Sequence, residues 1–233
     1  MTSVDKTADA IATVAASADV LRHPGAGEHL LTEVERERAA RFRYESGRVD
    51  FTAGHVLVRF CAARLLGVPA ASLTLAQHCP DCGKGDHGKP YLPDHPGISV
   101  SLSHTKGVVA AAAAHRPIGV DVELTDRGGT LLDVAPRVLA AEELRQVRAH
   151  ADPARAFLRL WVRKEALIKV GRTTLDGLAA VDLSALPLDL PDGRPLLGRF
   201  EDLELLDWAD ESQGAAAAAV CELPPRVVEL AAL

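Results

Sequence analysis

Four short clusters carry the residues best suited to chemistry in this 233-residue chain. In Gly119-Val120-Asp121-Val122-Glu123 two acids alternate with valines, so a strand would project both carboxylates from one face. Neighbouring carboxylates repel unless water or a cation separates them, the arrangement that a hard metal such as Mg²⁺ exploits. The plain reading is a half-exposed strand, apolar inward and acidic outward. In Trp161-Val162-Arg163-Lys164-Glu165-Ala166-Leu167-Ile168-Lys169, a helix would align Trp161, Glu165 and Lys169 on one stripe. A routine surface pair of Glu and Lys would look the same and be worth about 0.3–0.5 kcal/mol, but a Trp on that stripe normally seeks cover. Ser101-Leu102-Ser103-His104 ends a predicted strand, where a hydroxyl and an imidazole can donate to a phosphate. Ser103 and His104 are adjacent, so on a strand they face opposite ways and cannot pair as nucleophile and base. In Gly88-Lys89-Pro90-Tyr91, a Lys in a Pro-restricted turn could reach a phosphate or a purine, or be an ordinary surface turn. The chain has no G-x-S-x-G elbow, Walker A sequence or dinucleotide fingerprint.

The elements that must position these residues can be read from periodicity and stop signals. Thr32-Glu33-Val34-Glu35 has capping-box spacing and predicts a helix to about Phe42. A second helix is expected over Val49 to Leu66, stopped by Gly67 and Pro69. Strands are expected at Ser72 to Gln77, Ile98 to Leu102, Val108 to Ala114 and Ile118 to Val122. Ala110 to Ala114 favours helix by propensity. Turn signals on both sides leave it too short for one, so it reads as a tightly packed strand. The pattern turns helical from Thr130, breaks near Asp152-Pro153, and predicts a long helix from Pro153 to Val170. Strands follow at Val181 to Leu183, Leu196 to Leu206 and Gly214 to Leu223, while residues 1–28 read as a strand and loop. The small-residue strand after Gly107 recurs after Gly214, a hint of two similar α+β halves.

Lys plus Arg is 26 and Asp plus Glu is 32, giving a net charge of -6. That balance disfavours a general nucleic-acid surface and makes any phosphate site local. No apolar run approaches the roughly 18 residues of a membrane span, and a start holding Asp5, Asp9 and Asp19 lacks signal-peptide character. The expectation is a cytoplasmic monomer with no membrane partner. Cys61 and Cys221 lie in apolar surroundings and read as core residues. Cys79-Pro80-Asp81-Cys82, flanked by His78 and followed by His87, could supply three or four zinc ligands. It lacks a second tight ligand pair, so a loop with reduced thiols is expected and zinc is the alternative.

In order, Gly88-Lys89-Pro90, Ser101-Leu102-Ser103-His104, Gly119-Val120-Asp121-Val122-Glu123 and Trp161-Val162-Arg163-Lys164-Glu165-Ala166 resemble the signature of Sfp-type 4′-phosphopantetheinyl transferases, over roughly residues 30–175. The resemblance implies an α+β pseudo-dimer of two similar α/β halves, here 1–118 and 119–233, with the active site in the cleft between them. It implies transfer of phosphopantetheine from coenzyme A to a serine of an apo acyl or peptidyl carrier protein, releasing 3′,5′-ADP. Asp121, Glu123 and Glu165 would be the carboxylates for Mg²⁺ or Mn²⁺, with Glu165 also the base and Lys169 a positive charge on the same phosphates. Ser103 and His104 would hold phosphate groups, Lys164 would reach them from the flank or pair on the surface, and Lys89 with Pro90 would border the adenine. Arg38, Arg41, Arg48 and His55 fall in the region that clamps the 3′-phosphate, with Arg48 favoured and His55 second. Asp50 stands where some relatives carry Arg, and Glu143 where many have another acid near the metal. The nucleophile would belong to the carrier. Two other readings stay open: a non-catalytic relative that binds coenzyme A or a carrier, and a metal-dependent phosphodiesterase built on the same acids. Which carrier is served depends on surface complementarity that one chain does not reveal.

Overall fold

Local chemistry defines the helix ends in the computed structural model, which describes residues 9–80, 82–190 and 193–233, with the side chains of Thr130 and Leu131 left aside. Sequence readings on residues 1–8 and Asp81 lie outside the described residues. In chain order the elements are β1 (Ala10–Ala16), α1 (Ser17–Arg22), α2 (Glu33–Ala40), α3 (Glu45–Leu66), β2 (Ala76–His78) and β3 (Lys89–Tyr91). Then come β4 (Ser99–Thr105), β5 (Val108–Ala114), β6 (Ile118–Leu124), α4 (Gly128–Leu131), α5 (Ala135–Val138), α6 (Ala141–Ala149) and α7 (Pro153–Val170). The chain closes with β7 (Leu196–Phe200), β8 (Leu203–Asp210), β9 (Ala215–Cys221) and β10 (Arg226–Val227). At α2 the expected capping box forms: the Thr32 hydroxyl accepts from the Glu35 N–H, and the Glu35 carboxylate accepts from the Thr32 N–H. At α7 the Asp152 side chain accepts from the Arg155 N–H and Pro153 takes the first turn, where its missing N–H costs nothing.

The strands form two four-stranded sheets, in the orders β10-β1-β5-β4 and β6-β9-β8-β7, and β2 pairs with β3 as a separate ribbon. Both large sheets share a plan. With β10 and β7 set aside, the first strand of each (β1, β6) pairs antiparallel with the last (β5, β9), which pairs with the middle one (β4, β8). A long helix, α3 or α7, lies in the chain between the first strand and the middle one.

Three cores result. Val56, Phe60 and Cys61 of α3 pack on Ile11, Val100, Val109 and Ala111. Phe157, Leu160 and Leu167 of α7 pack on Leu205, Ala218 and Val220. A third core joins the sheets face to face through Ala10, Ala110, Ala112, Val120, Trp208 and Ala217. Strand β5 therefore buries both faces, Val109, Ala111 and Ala113 towards α3 and Ala110, Ala112 and Ala114 towards the second sheet. Burial on two sides explains why an alanine run becomes a strand despite its helical propensity.

Several boundaries differ from expectation. Val181 to Leu183 is not a strand; the Leu183 N–H donates to the Glu143 carboxylate instead of to a neighbouring strand. Leu196 to Leu206 is two strands, β7 and β8, reversed at Glu201, whose φ of 54° is left-handed. The strand expected from Ser72 shrinks to β2, and the helix α1 follows β1 where a loop was expected.

Candidate active site

The two sheets meet along one edge through a ladder of hydroxyls. Ser99, Ser101, Ser103 and Thr105 alternate along β4 and so share a face. The Ser99 and Ser101 hydroxyls accept from the Ile118 and Val120 N–H groups at 3.2 and 3.1 Å, satisfying an edge of β6 that pairs with no strand. Further along, Ser103 donates to Asp121 Oδ1 at 2.7 Å, and Thr105 donates to Glu123 Oε1 at 2.6 Å. The ladder thus aims both acids. Its period-two hydroxyl pattern was readable in the sequence, but only the Ser103 end of it was singled out there.

Helix α7 lies against the same stretch of β6. A Cβ on Gly119 would sit 2.1 Å from the Ala166 carbonyl oxygen and 2.7 Å from the Val170 nitrogen, so this close approach requires glycine. The contact brings Lys169 to Asp121, Nζ to Oδ1 at 2.7 Å. Glu165, one turn earlier, is half-buried. Burial and then the charge of Asp121 push its carboxyl above the usual range, Lys169 draws it back in part, and Glu123 adds a further upward push. Arg127 lies 3.3 Å from Glu123 at the open side. Trp161, on the same stripe as Glu165, packs beside Phe157 with ring centroids 6.0 Å apart.

Three carboxylates from two elements, with the carboxyl of Glu165 raised by burial and by its neighbours, form a hard donor set whose mutual repulsion a divalent cation would relieve. Their oxygens are not drawn into a closed shell. Among the described residues, the only three ligating groups with all atoms within 4.8 Å of one another are Cys79, Cys82 and His87. Residues and chemistry fit a cation at the acids, with Lys169 now satisfying Asp121.

A profile of the 4′-phosphopantetheinyl transferase superfamily matches residues 117–221, the stretch from β6 to β9 that holds all three acids and Lys169. The chain is 28% identical over 167 residues to a 4′-phosphopantetheinyl transferase of Bacillus subtilis, covering 68% of this chain and 70% of that one. It is 30% identical over 158 residues to the 4′-phosphopantetheinyl transferase HetI of a Nostoc species (65% and 62%), and 28% identical over 137 residues to Sfp of Bacillus subtilis strain 168 (58% and 57%). Residues 117–221 belong to the 4′-phosphopantetheinyl transferase superfamily. Against HetI and Sfp the match spans less than two thirds of the relative's length.

Around that stretch the remaining candidates fall in different places. His104 faces away from Ser103 and is exposed, near enough to Asp50, Lys169 and Arg38 to feel their charges. Partial desolvation, with Lys169 and Arg38, lowers its pKa against the pull of Asp50. Lys89 and Pro90 line a cavity of about 520 Å³ with Tyr91, Ile98 and Ser99, at the far end of β4 from His104. Arg38 and Arg41 line a second cavity of about 380 Å³ with Phe42, Asp86 and His87. Arg48 is held by Glu45 at 2.6 Å and lies 3.6 Å from Glu28.

Three expectations need correction. Lys164 neither flanks the acids nor lies on the surface. It is fully buried on the opposite side of α7, donating to the Leu178 and Val181 carbonyls and pairing with Glu143 at 2.8 Å. Glu143 is correspondingly in the core, where it also accepts from the Ala140 and Leu183 N–H groups. Both are structural, and a position 100° around a helix does not reveal which flank is inward. His55 is likewise buried, stacked on Phe51 at 3.9 Å with Nδ1 against the Phe51 carbonyl. Burial pushes its pKa down to about 4, so it is neutral near pH 7 and ill-suited as a cationic phosphate ligand. Phe51 four residues before it and Val58 three after it put His55 on the apolar stripe of α3, a signal that was present in the sequence.

Proposed function

We propose that this chain is a catalytic 4′-phosphopantetheinyl transferase that moves phosphopantetheine from coenzyme A to a serine of an apo acyl or peptidyl carrier protein, releasing 3′,5′-ADP. The observation that carries the reading is the convergence, within the matched stretch, of Asp121, Glu123 and Glu165 with Lys169. Asp121 and Glu123, aimed by Ser103 and Thr105, would hold Mg²⁺ or Mn²⁺ together with Glu165. When bound, such an ion neutralises charge on the pyrophosphate. Glu165, with its raised pKa, has the basicity to accept the carrier serine's proton as that oxygen attacks the β-phosphorus. The bond from phosphorus to the bridging oxygen breaks, and 3′,5′-ADP leaves with its electron pair. Lys169 places positive charge beside the same phosphates, and His104, exposed on the other face of β4, is the donor to a phosphate oxygen, while the Ser103 hydroxyl stays on Asp121.

The shared strand order of the two sheets supports a pseudo-dimer with halves near 1–118 and 119–233 and the substrate between them. Arg38 and Arg41, with Arg48 further out, are the basic groups proposed for the 3′-phosphate. Lys89 and Pro90 would border the adenine. Retention of all three acids and Lys169 favours catalysis over a non-catalytic binding relative.

The test is incubation with coenzyme A, Mg²⁺ and apo carrier proteins, followed by intact-protein mass. One phosphopantetheine gained per carrier is expected, and Asp121→Asn should slow the gain by on the order of 10²-fold or more, the scale on which single electrostatic groups act. If a panel of carriers that a reference transferase modifies stays unmodified, the reading is wrong. Cleavage of coenzyme A without any carrier would favour the phosphodiesterase.

A further inference from the structure

We propose that Cys79, Cys82 and His87 bind one zinc ion that staples the loop between β2 and β3, a site apart from the acid cluster and not used by the transfer chemistry. One sulfur or nitrogen atom from each of the three residues lies within 4.8 Å of the others, and Cys82 Sγ is 3.3 Å from His87 Nε2. A tetrahedral zinc with Zn–S of about 2.3 Å and Zn–N of about 2.0 Å needs ligand atoms roughly 3.5 Å apart. The chain makes the site through its backbone. The Gly83 N–H donates to the Cys79 carbonyl and the Cys79 N–H donates to the Lys84 carbonyl, both at 2.9 Å, closing a turn that sets both cysteines beside His87.

Two independent features point the imidazole at the sulfurs. His87 Nδ1 lies 2.7 Å from the Asp86 carboxylate, the second partner that metal-bound histidines usually have, which leaves Nε2 to face Cys82. At Gly88 a φ of 98° turns the chain back against Cys79, where a Cβ would meet the His78 carbonyl oxygen at 2.3 Å. Thiolates and an imidazole select zinc over the hard cation expected at Asp121, Glu123 and Glu165. Cys82 is exposed while Cys79 is buried, so the ion has a route in and a lined seat, with the fourth position left to water. Lys89 and Pro90 follow the loop directly, and the Asp86 carbonyl accepts from Arg38. A zinc staple would therefore fix the hairpin to α2 and hold the Lys89–Pro90 wall in register.

The full chain, reduced, exposed to zinc and washed free of excess, should retain one zinc per chain by elemental mass spectrometry. Cobalt in its place should give a sulfur-to-cobalt charge-transfer band and the intense visible bands of tetrahedral coordination. Cys79→Ser/Cys82→Ser and, separately, His87→Gln should lose the stoichiometric zinc and alter the cobalt spectrum. Asp121→Asn should keep both. Amide exchange over residues 82–88 should rise when zinc is removed from the parent. Less than stoichiometric zinc in the parent overturns the proposal, as does a sulfur–cobalt band that survives the double substitution. Each variant is checked for native circular dichroism, and the amide-exchange arm needs no substitution. None of these readouts uses transfer activity, so the zinc proposal and the transferase reading fail separately.

Discussion

Burial and the charges of Asp121 and Glu123 raise the Glu165 carboxyl in the folded state. Between the unfolded value of about 4.5 and the higher folded one, the native state binds more protons than the unfolded chain. Stability contributed by this group is therefore complete below the unfolded pKa and lost as pH rises through the folded one. Glu165→Gln removes the charge and keeps the shape. It should melt higher than the parent at pH 7, the difference closing near pH 4, while transfer is lost. Saturating Mg²⁺ should raise the parent's melting temperature more than the variant's, because binding to the native state stabilises by mass action. Equal melting at pH 7 without metal would refute the repulsion. In the parent, transfer should rise with pH as Glu165 deprotonates to supply the base, at a pH that saturating Mg²⁺ lowers by relieving the repulsion; a flat profile would argue for another base. At this scale much was legible: alternation in a strand and i, i+4 spacing on a helix placed Asp121, Glu123, Glu165 and Lys169. Lys164 was misread because periodicity does not report what packs against a helix flank; His55 was misread although its spacing from Phe51 and Val58 sets it on the buried stripe of α3.

The long elements were legible because their ends carry their own chemistry. Helix α7 runs from Pro153 to Val170 as expected, between the Asp152 cap and Gly171. The alanine strand was legible from its turn signals. The short strand expected at Val181 to Leu183 was not, because its apolar residues serve the α7 core while the Leu183 N–H goes to Glu143. The catalytic reading depends on how closely α7 lies to β6, and Gly119 sets that distance. A Cβ there meets backbone atoms of Ala166 and Val170, which cannot rotate away as a side chain could. Gly119→Ala should cost about 1–3 kcal/mol in folding, the range for overpacking. It should also cost on the order of 10²-fold in kcat, since about 1 Å of misplacement at Glu165 and Lys169 is enough. Gly129→Ala, in α4, where an added Cβ meets nothing within 4 Å, is the control and should leave kcat unchanged without loss of stability. Parent-like kcat in Gly119→Ala would show that the α7 spacing does not set the site.

At the scale of the whole molecule, the two sheets are not independent. Each has its own core against α3 or α7, but the third core is shared, and β10 returns from the second half to lie parallel to β1 at Ile11 and Ala12. The Val228 N–H donates to the Ala12 carbonyl at 2.9 Å, and the Thr13 hydroxyl donates back to the Val228 carbonyl at 2.8 Å. Val228, Leu230 and Leu233 then pack on the core beneath α3. This return was not legible, because a two-residue strand has no period and its partner lies more than 200 positions away in the chain. Chemical denaturation should therefore give one transition, with probes in both halves coincident. Removing residues 224–233 deletes the β10 pairing and four partly buried aliphatic side chains, Val227, Val228, Leu230 and Leu233. At about 1 kcal/mol for each partial burial, the loss is roughly 4 kcal/mol. The shortened chain should unfold at lower denaturant, and the uncovered edge of β1 should promote self-association at high concentration. Because β1 belongs to the first sheet while Glu165 lies on α7 against the second, the loss should appear around both sheets together through the shared core. An unchanged midpoint, or two separated transitions in the parent, would mean that the halves fold as independent units and that the tail is not what ties them.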